Sequence, residues 1–183
     1  MSVPPVRQGA CGLLKVFLDC EFTDFIQIDL ISIALVSEDG REFYAVRSDF
    51  LEQDCSDFVR AAVLPLLESD PSIRMSRETL SQRLHDWLAS LPDFMIACDS
   101  HHDRDLFADA LNYKPVAKFR GWINLNALPE DMKAVFHREA ARYHDIPGSP
   151  WHHALHDARA HRAGWMGAKS ADFSFGDVVD PRV

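Results

Sequence analysis

No stretch of this chain stays apolar for the ~18–20 residues that a membrane-crossing helix needs, so no membrane partner is expected. Residues 1–12 lack the continuous apolar run of a signal peptide, being broken by Pro4, Pro5, Arg7 and Gln8. The four cysteines, Cys11, Cys20, Cys55 and Cys98, contain no Cys-x-x-Cys pair. That spacing indicates neither a zinc knuckle nor a disulfide framework, and a cytoplasmic protein with reduced thiols is the simplest reading. Positive charge is scarce: 19 Lys and Arg face 28 Asp and Glu, for a net charge of −9. Such a chain is a poor candidate for tight, non-specific duplex binding, which draws on many Lys and Arg contacts to phosphate. An acidic chain can still act on phosphate esters where a bound metal supplies positive charge locally. Repeats and low-complexity tracts are also missing. What remains, 183 residues with 47% hydrophobic and 26% charged, suits one ordinary globular domain.

The most informative residues are Asp19 and Glu21, in Lys15-Val-Phe-Leu-Asp-Cys-Glu-Phe-Thr-Asp24. Val16-Phe17-Leu18 reads as a buried strand, and such a strand should not end in two carboxylates without compensation. Residues i and i+2 of a strand share a face, so the two side chains project together. Like charges that close raise each other's pKa. A divalent cation between them turns repulsion into ligation, and hard cations such as Mg²⁺ take oxygen ligands. A solvated strand end is the plainer alternative.

Hydrophobic patterning predicts strands over 14–20, 28–36 and 41–46, with Asp39-Gly40 as a hairpin signal between the last two. Helices follow over 57–67, interrupted at Pro65, and over 78–91, with Ser76 as N-cap. A short strand over 94–98 ends in Asp99. Then come a helix over 103–111, a strand over 118–125, and helices over 130–143 and 151–165. A three-stranded antiparallel meander followed by alternating strands and helices predicts an α/β domain on a mixed five-stranded sheet flanked by helices. The expected limits are a flexible leader over 1–13, one domain over 14–167 and a tail over 168–183.

Two further acidic stations stand out. In Cys98-Asp-Ser-His-His-Asp-Arg-Asp-Leu-Phe107, Asp103 falls in the first turn of a helix, where a carboxylate also suits the helix dipole. Asp99 and Asp105 are rival ligands, and His101 and His102 are expected at the site mouth or surface. In Trp151-His-His-Ala-Leu-His-Asp-Ala158, His152 precedes Asp157 by five positions, a rotation of ~500° on an ideal helix. Both can serve one centre only if His152 lies in the loop or in a distorted first turn, which Pro147 and Pro150 favour. A His beside a carboxylate centre suits a general base for water. His153, His156 and His161 are expected to be solvated on the helix surface.

These stations resemble the three motifs of the DEDDh 3′–5′ exonucleases, also called DnaQ-like. Asp19-Cys20-Glu21 looks like the first motif, Asp103 ahead of Leu106-Phe107 the second, and His152-His-Ala-Leu-His-Asp-Ala158 the third. Residues 17–46 are also similar to a small bacterial exoribonuclease-like branch, and the resemblance spans about residues 14–167. Two positions depart from the pattern: Phe22-Thr23 follows Glu21, and Asp99 stands where Asn is frequent. Asp103, Asp99 and Asp105 stay open as the completing carboxylate, with Asp103 preferred on its spacing to Leu106-Phe107.

The resemblance implies a ribonuclease H-like fold and two divalent cations, Mg²⁺ or Mn²⁺, held by Asp19, Glu21, Asp103 and Asp157. It implies His152 as the base that deprotonates the attacking water. The expected activity is release of nucleoside 5′-monophosphates from single-stranded 3′ ends, with RNA favoured over DNA. Phe22, Thr23 and Phe25 are expected to hold the terminal nucleotide, with Phe22 or Phe25 either stacking on a base or packing in the core. Arg104, Lys114, Lys118, Arg120, Arg138, Arg159 and Arg162 are available for phosphate. A homodimer is expected because related small enzymes dimerise. Two rivals fit part of the pattern. One is an inert nucleic-acid-binding module on the same fold; the other is a different metal-dependent phosphoesterase using zinc, although Asp19 and Glu21 favour Mg²⁺ or Mn²⁺.

Overall fold

The protein is described by a computed structural model over residues 12–171, so the expectations for 1–11 and 172–183 fall outside the described residues. Strands β1 (Leu14–Phe22), β2 (Leu30–Ser37) and β3 (Glu42–Arg47) form the antiparallel meander. Gly40, at φ 93°, takes the positive-φ position of the β2–β3 turn, which its missing Cβ makes cheap. Helix α1 (Asp57–Ala62) ends where Pro65 begins a short 3₁₀ turn. Helix α2 (Arg77–Ser90) starts at Ser76, whose hydroxyl accepts the Thr79 N–H at 3.3 Å. Then follow β5 (Phe94–Cys98), α3 (His101–Ala110), β6 (Phe119–Asn124), α4 (Glu130–His144) and α5 (Ala154–Ser170).

The sheet has six strands, not the expected five. Its order is β4-β3-β2-β1-β5-β6, where β4 (Arg74–Met75) pairs parallel with Val46 and Arg47 at the edge. Two residues are too few to show any alternation, which is why the sequence pattern missed this strand. Two helix starts also differ. Helix α3 begins two residues early because the Ser100 hydroxyl caps the His102 N–H at 3.0 Å. Helix α5 begins three residues late, because His152 is held at φ 61° and His153 is extended. At its other end α5 reaches Ser170, into the segment read as a tail.

Strand periodicity divides the core into two layers. Val16, Leu18 and Cys20 pack with Leu80, Leu84, Leu106 and Phe107, on the face covered by α2 and α3. Phe17 packs with Ile123, Phe136 and Trp165, on the face covered by α4 and α5. Asp19 and Glu21 share the parity of Phe17, so they continue its stripe on the α5 side. On β5, Met95 and Ala97 belong to that same layer, and Asp99 is next in their parity. The sheet alternation thus sends three carboxylates to one face. Among the described residues, no helix is long and apolar enough to cross a membrane.

Candidate metal centre

Helix α5 lies along β1 with its own stripe. Trp165 meets Phe17 at a ring separation of 5.9 Å. One and two turns back along the helix are His161 and Asp157, since residues four apart share a helix face. Asp157 therefore comes to Asp19 and Glu21, and each of the three offers an oxygen within 4.8 Å of the others. Asp19, Asp99 and His161 form a second such group, also within 4.8 Å, so Asp19 is common to both.

Burial is the main cause of the electrostatic strain. It pushes the Asp19 carboxyl well above its usual range, and the charges of Asp103, Asp157, Glu21 and Asp99 add to the push. Glu21 rises to about 8, through burial first and then Asp157 and Asp103. Asp103 rises to about 7, through burial and then Asp99. Asp157 is also raised by burial, against the opposing effects of the His153 N–H and of His144, His161 and His152. Asp19, Glu21 and Asp157, which resist ionisation together, form a donor set that fits a divalent cation, whose charge would offset their repulsion.

The second-station carboxylates are now separated. Asp103 is buried at 3% exposure, and its Oδ1 accepts the Cys20 N–H at 3.2 Å. Asp99 stands at the end of β5 with its side chain half exposed. Its pKa is lowered: burial works against this, but neighbouring His161 outweighs it. Asp105 lies elsewhere, in a pocket lined by Ile28, Asp29 and Arg77.

His152 sits in the loop before α5, exposed, with its ring edge-on to Phe58 at 5.0 Å. Thr23 is fully buried. Its hydroxyl donates to the Gln27 carbonyl and accepts the Asp29 N–H, its own N–H donates to the Asp29 carbonyl, and its carbonyl accepts the Ser56 N–H. Thr23 thus braces the loop that presents Phe25. Phe25 is 73% exposed and forms an aromatic group with Phe22 and His102 at ring separations of 5.1–5.5 Å.

Of the candidate phosphate-binding cations, most are committed elsewhere. Arg159 pairs with Glu42, Arg120 with Asp93 and Arg138 with Glu139; Arg162 and Lys118 donate to backbone carbonyls. Lys114 is exposed beyond α3. Arg104 lies over the Trp122 ring at 4.9 Å and lines a pocket with Asp99 and Asn124.

The histidines correct the sequence reading. His153 is 4% exposed and packs on Tyr44; the His156 Nδ1 lies 2.9 Å from the Tyr143 hydroxyl; His161 stacks on Phe136 beside Asp99. None of the three is a solvated surface residue. His161 could have been found, because it is four residues beyond Asp157. His144 was missed outright. Its side chain is buried against Trp151 at 3.7 Å, with Nε2 at 3.2 Å from Asp157 Oδ1, and no local pattern links residues so far apart in sequence.

Solved structures reproduce the fold. The zinc-bound form of Escherichia coli exonuclease I with single-stranded DNA matches at a TM-score of 0.56 and 16% identity, over 87% of this chain and 41% of that one. The chain thus spans about two fifths of that exonuclease. A full-length 3′-exonuclease matches at a TM-score of 0.54 and 14% identity, over 87% of this chain and 84% of that one. The α/β architecture, a six-stranded mixed sheet with flanking helices, fits a ribonuclease H-like fold. No protein-family model matches the chain. In sequence, it is 33% identical over 156 residues to the 3′–5′ exoribonuclease Rv2179c of Mycobacterium tuberculosis strain H37Rv, and equally to its counterpart in strain CDC 1551, covering 80% of this chain and 88% of each relative. The chain belongs to the DnaQ-like 3′–5′ exonuclease family, and it is a nuclease that hydrolyses phosphodiester bonds.

Proposed function

We propose that this exonuclease removes nucleoside 5′-monophosphates from the 3′ ends of single-stranded nucleic acid, RNA in preference to DNA. The observation that carries the reading is the convergence of Asp19, Glu21 and Asp157, three half-buried carboxylates whose oxygens lie within 4.8 Å of one another. Asp103 adds a fourth carboxyl beside Asp19. We assign this group to two divalent cations, Mg²⁺ or Mn²⁺, which when bound would stabilise charge on the attacking and leaving oxygens.

The protein's own residues do the rest. His152, on the loop before α5, takes the proton of the attacking water; the exposed site and neighbouring Asp157 suit it to that role. Phe25 and Phe22 offer ring faces to the terminal bases, while Thr23 fixes the loop beneath them. Arg104 is the cation best placed to meet a phosphate beside Asp99. The preference for RNA is supported by the naming of both curated relatives as exoribonucleases.

The test uses oligonucleotides of matched sequence, as RNA and as DNA, labelled at the 3′ or the 5′ end and incubated with Mn²⁺. The expected products are mononucleotides from the 3′ end, faster from RNA. Asp157→Ala and His152→Ala should each abolish turnover with the fold intact by circular dichroism. Wild-type activity in both folded variants would overturn the assignment.

A further inference from the structure

The two groups that share Asp19 differ in chemistry. Asp19, Glu21 and Asp157 offer only oxygen, whereas Asp19, Asp99 and His161 include a nitrogen. The His161 Nε2 lies 3.7 Å from Asp99 Oδ2, too far for a good hydrogen bond. Two ligands of one ion, each ~2.1 Å from it, stand roughly 3.0–3.7 Å apart. The other ring nitrogen, Nδ1, is buried with no hydrogen-bond partner. Asp103, a like-charged neighbour of both Asp99 and Asp19, is itself tied to the Cys20 N–H.

A second observation concerns His144, beside Asp157. The His144 side chain is 1% exposed and its Nδ1 lies 3.0 Å from the Ser149 carbonyl, an acceptor, so Nδ1 carries the proton. Its Nε2 lies 3.2 Å from Asp157 Oδ1 with no partner in hydrogen-bond geometry. Both His144 and His161 line one cavity of about 120 Å³ with Asp99, Asp157 and Trp151. Histidine nitrogens thus lie beside two of the carboxylates, His161 by Asp99 and His144 by Asp157.

We propose that Asp19, Asp99 and His161 hold the second cation, in a mixed nitrogen–oxygen site selective for Mn²⁺ and other first-row transition ions over Mg²⁺. This rests on the two-cation reading above and specifies it. Imidazole suits transition metals, while Mg²⁺ keeps to oxygen and near-octahedral geometry.

The test is Mn²⁺ binding to the full chain, followed by calorimetry and by pulsed electron paramagnetic resonance, with and without ¹⁵N-labelled histidine. Two Mn²⁺ per chain are expected, with a histidine-nitrogen coupling that changes on labelling. Asp99→Asn, at a half-exposed position that should fold, and His161→Gln should each remove the coupling and weaken one site by ~10–100-fold while sparing the other. Mg²⁺ should compete at only one of the two sites. Mn²⁺ bound without any histidine coupling would overturn this proposal and leave the carboxylate reading standing. No Mn²⁺ binding at all would overturn both.

Discussion

Phe25 tests what a single exposed side chain contributes. With 73% of its surface open, it adds little to the core, so its position beside Phe22 and His102 points to a ligand. Base–aromatic stacking is worth ~1–3 kcal/mol in single-strand binders. Phe25→Ala should therefore raise KM for a short single strand by roughly 5–150-fold, with little change in kcat or Tm. Steady-state kinetics against strand length measures this, and an unchanged KM would assign Phe25 to the surface alone. At this scale the sequence showed what local spacing can show. Asp19 and Glu21 are two apart on a strand, and the His152–Asp157 spacing demands a loop, which φ 61° at His152 provides. It concealed what depends on tertiary approach. Nothing near His144 announces that its ring will reach Asp157, and the burial of His153 and His161 follows from where α4 and β3 come to lie.

The elements carry the site through one close packing. Helix α5 brings Asp157 and His161 to β1, and its own position is set against α4 at Gly164. A Cβ there would stand 2.7 Å from both the Phe136 ring and the Phe136 carbonyl oxygen, and the backbone atom cannot swing aside. Gly164→Ala should destabilise the protein by ~1–3 kcal/mol, read as a fall in Tm. It should also weaken Mn²⁺ binding, because any outward shift of α5 drags Asp157 and His161 with it. A lowered Tm with unaltered Mn²⁺ affinity would separate the helix contact from the site. Gly148→Ala makes a control: its φ of 86° is strained for alanine, but nothing lies within 4 Å of a Cβ, so the cation site should be untouched. The elements themselves were largely legible, since β2 is one continuous buried run and Ser76 announces α2. Their exact starts were not, because Ser100 and the His152 turn act through hydrogen bonds and dihedrals that hydrophobic periodicity does not encode.

For the whole molecule, the concentration of raised carboxyls sets how stability responds to pH. Glu21 binds its proton more tightly in the folded state, shifting from 4.5 to about 8, and Asp19, Asp103 and Asp157 move the same way. A group of this kind lends stability below its unfolded pKa, and that contribution is lost as pH rises through the folded value. His161 has the same sign: burial lowers its pKa, but Asp99 more than reverses this, so its contribution too declines with rising pH. Asp99, lowered, acts only in more acidic solution. With a chelator present, Tm should therefore fall steadily from pH 5 to pH 8, at up to ~1.4 kcal/mol per pH unit for each group titrating. Divalent cation should reverse the trend, because a ligand that binds only the folded state adds ~2.7 kcal/mol at a hundredfold excess over Kd. The gain should be larger at pH 8 than at pH 5, where protons compete for the same oxygens. Glu21→Gln removes one of the titrating groups and should flatten the chelated profile while reducing the Mn²⁺ gain. Thermal melts across pH, with Mn²⁺ and with chelator, give all four curves. A chelated Tm that rises toward pH 8 would mean that these carboxyls ionise freely in the fold, and the electrostatic argument for a cation between them would fall with it.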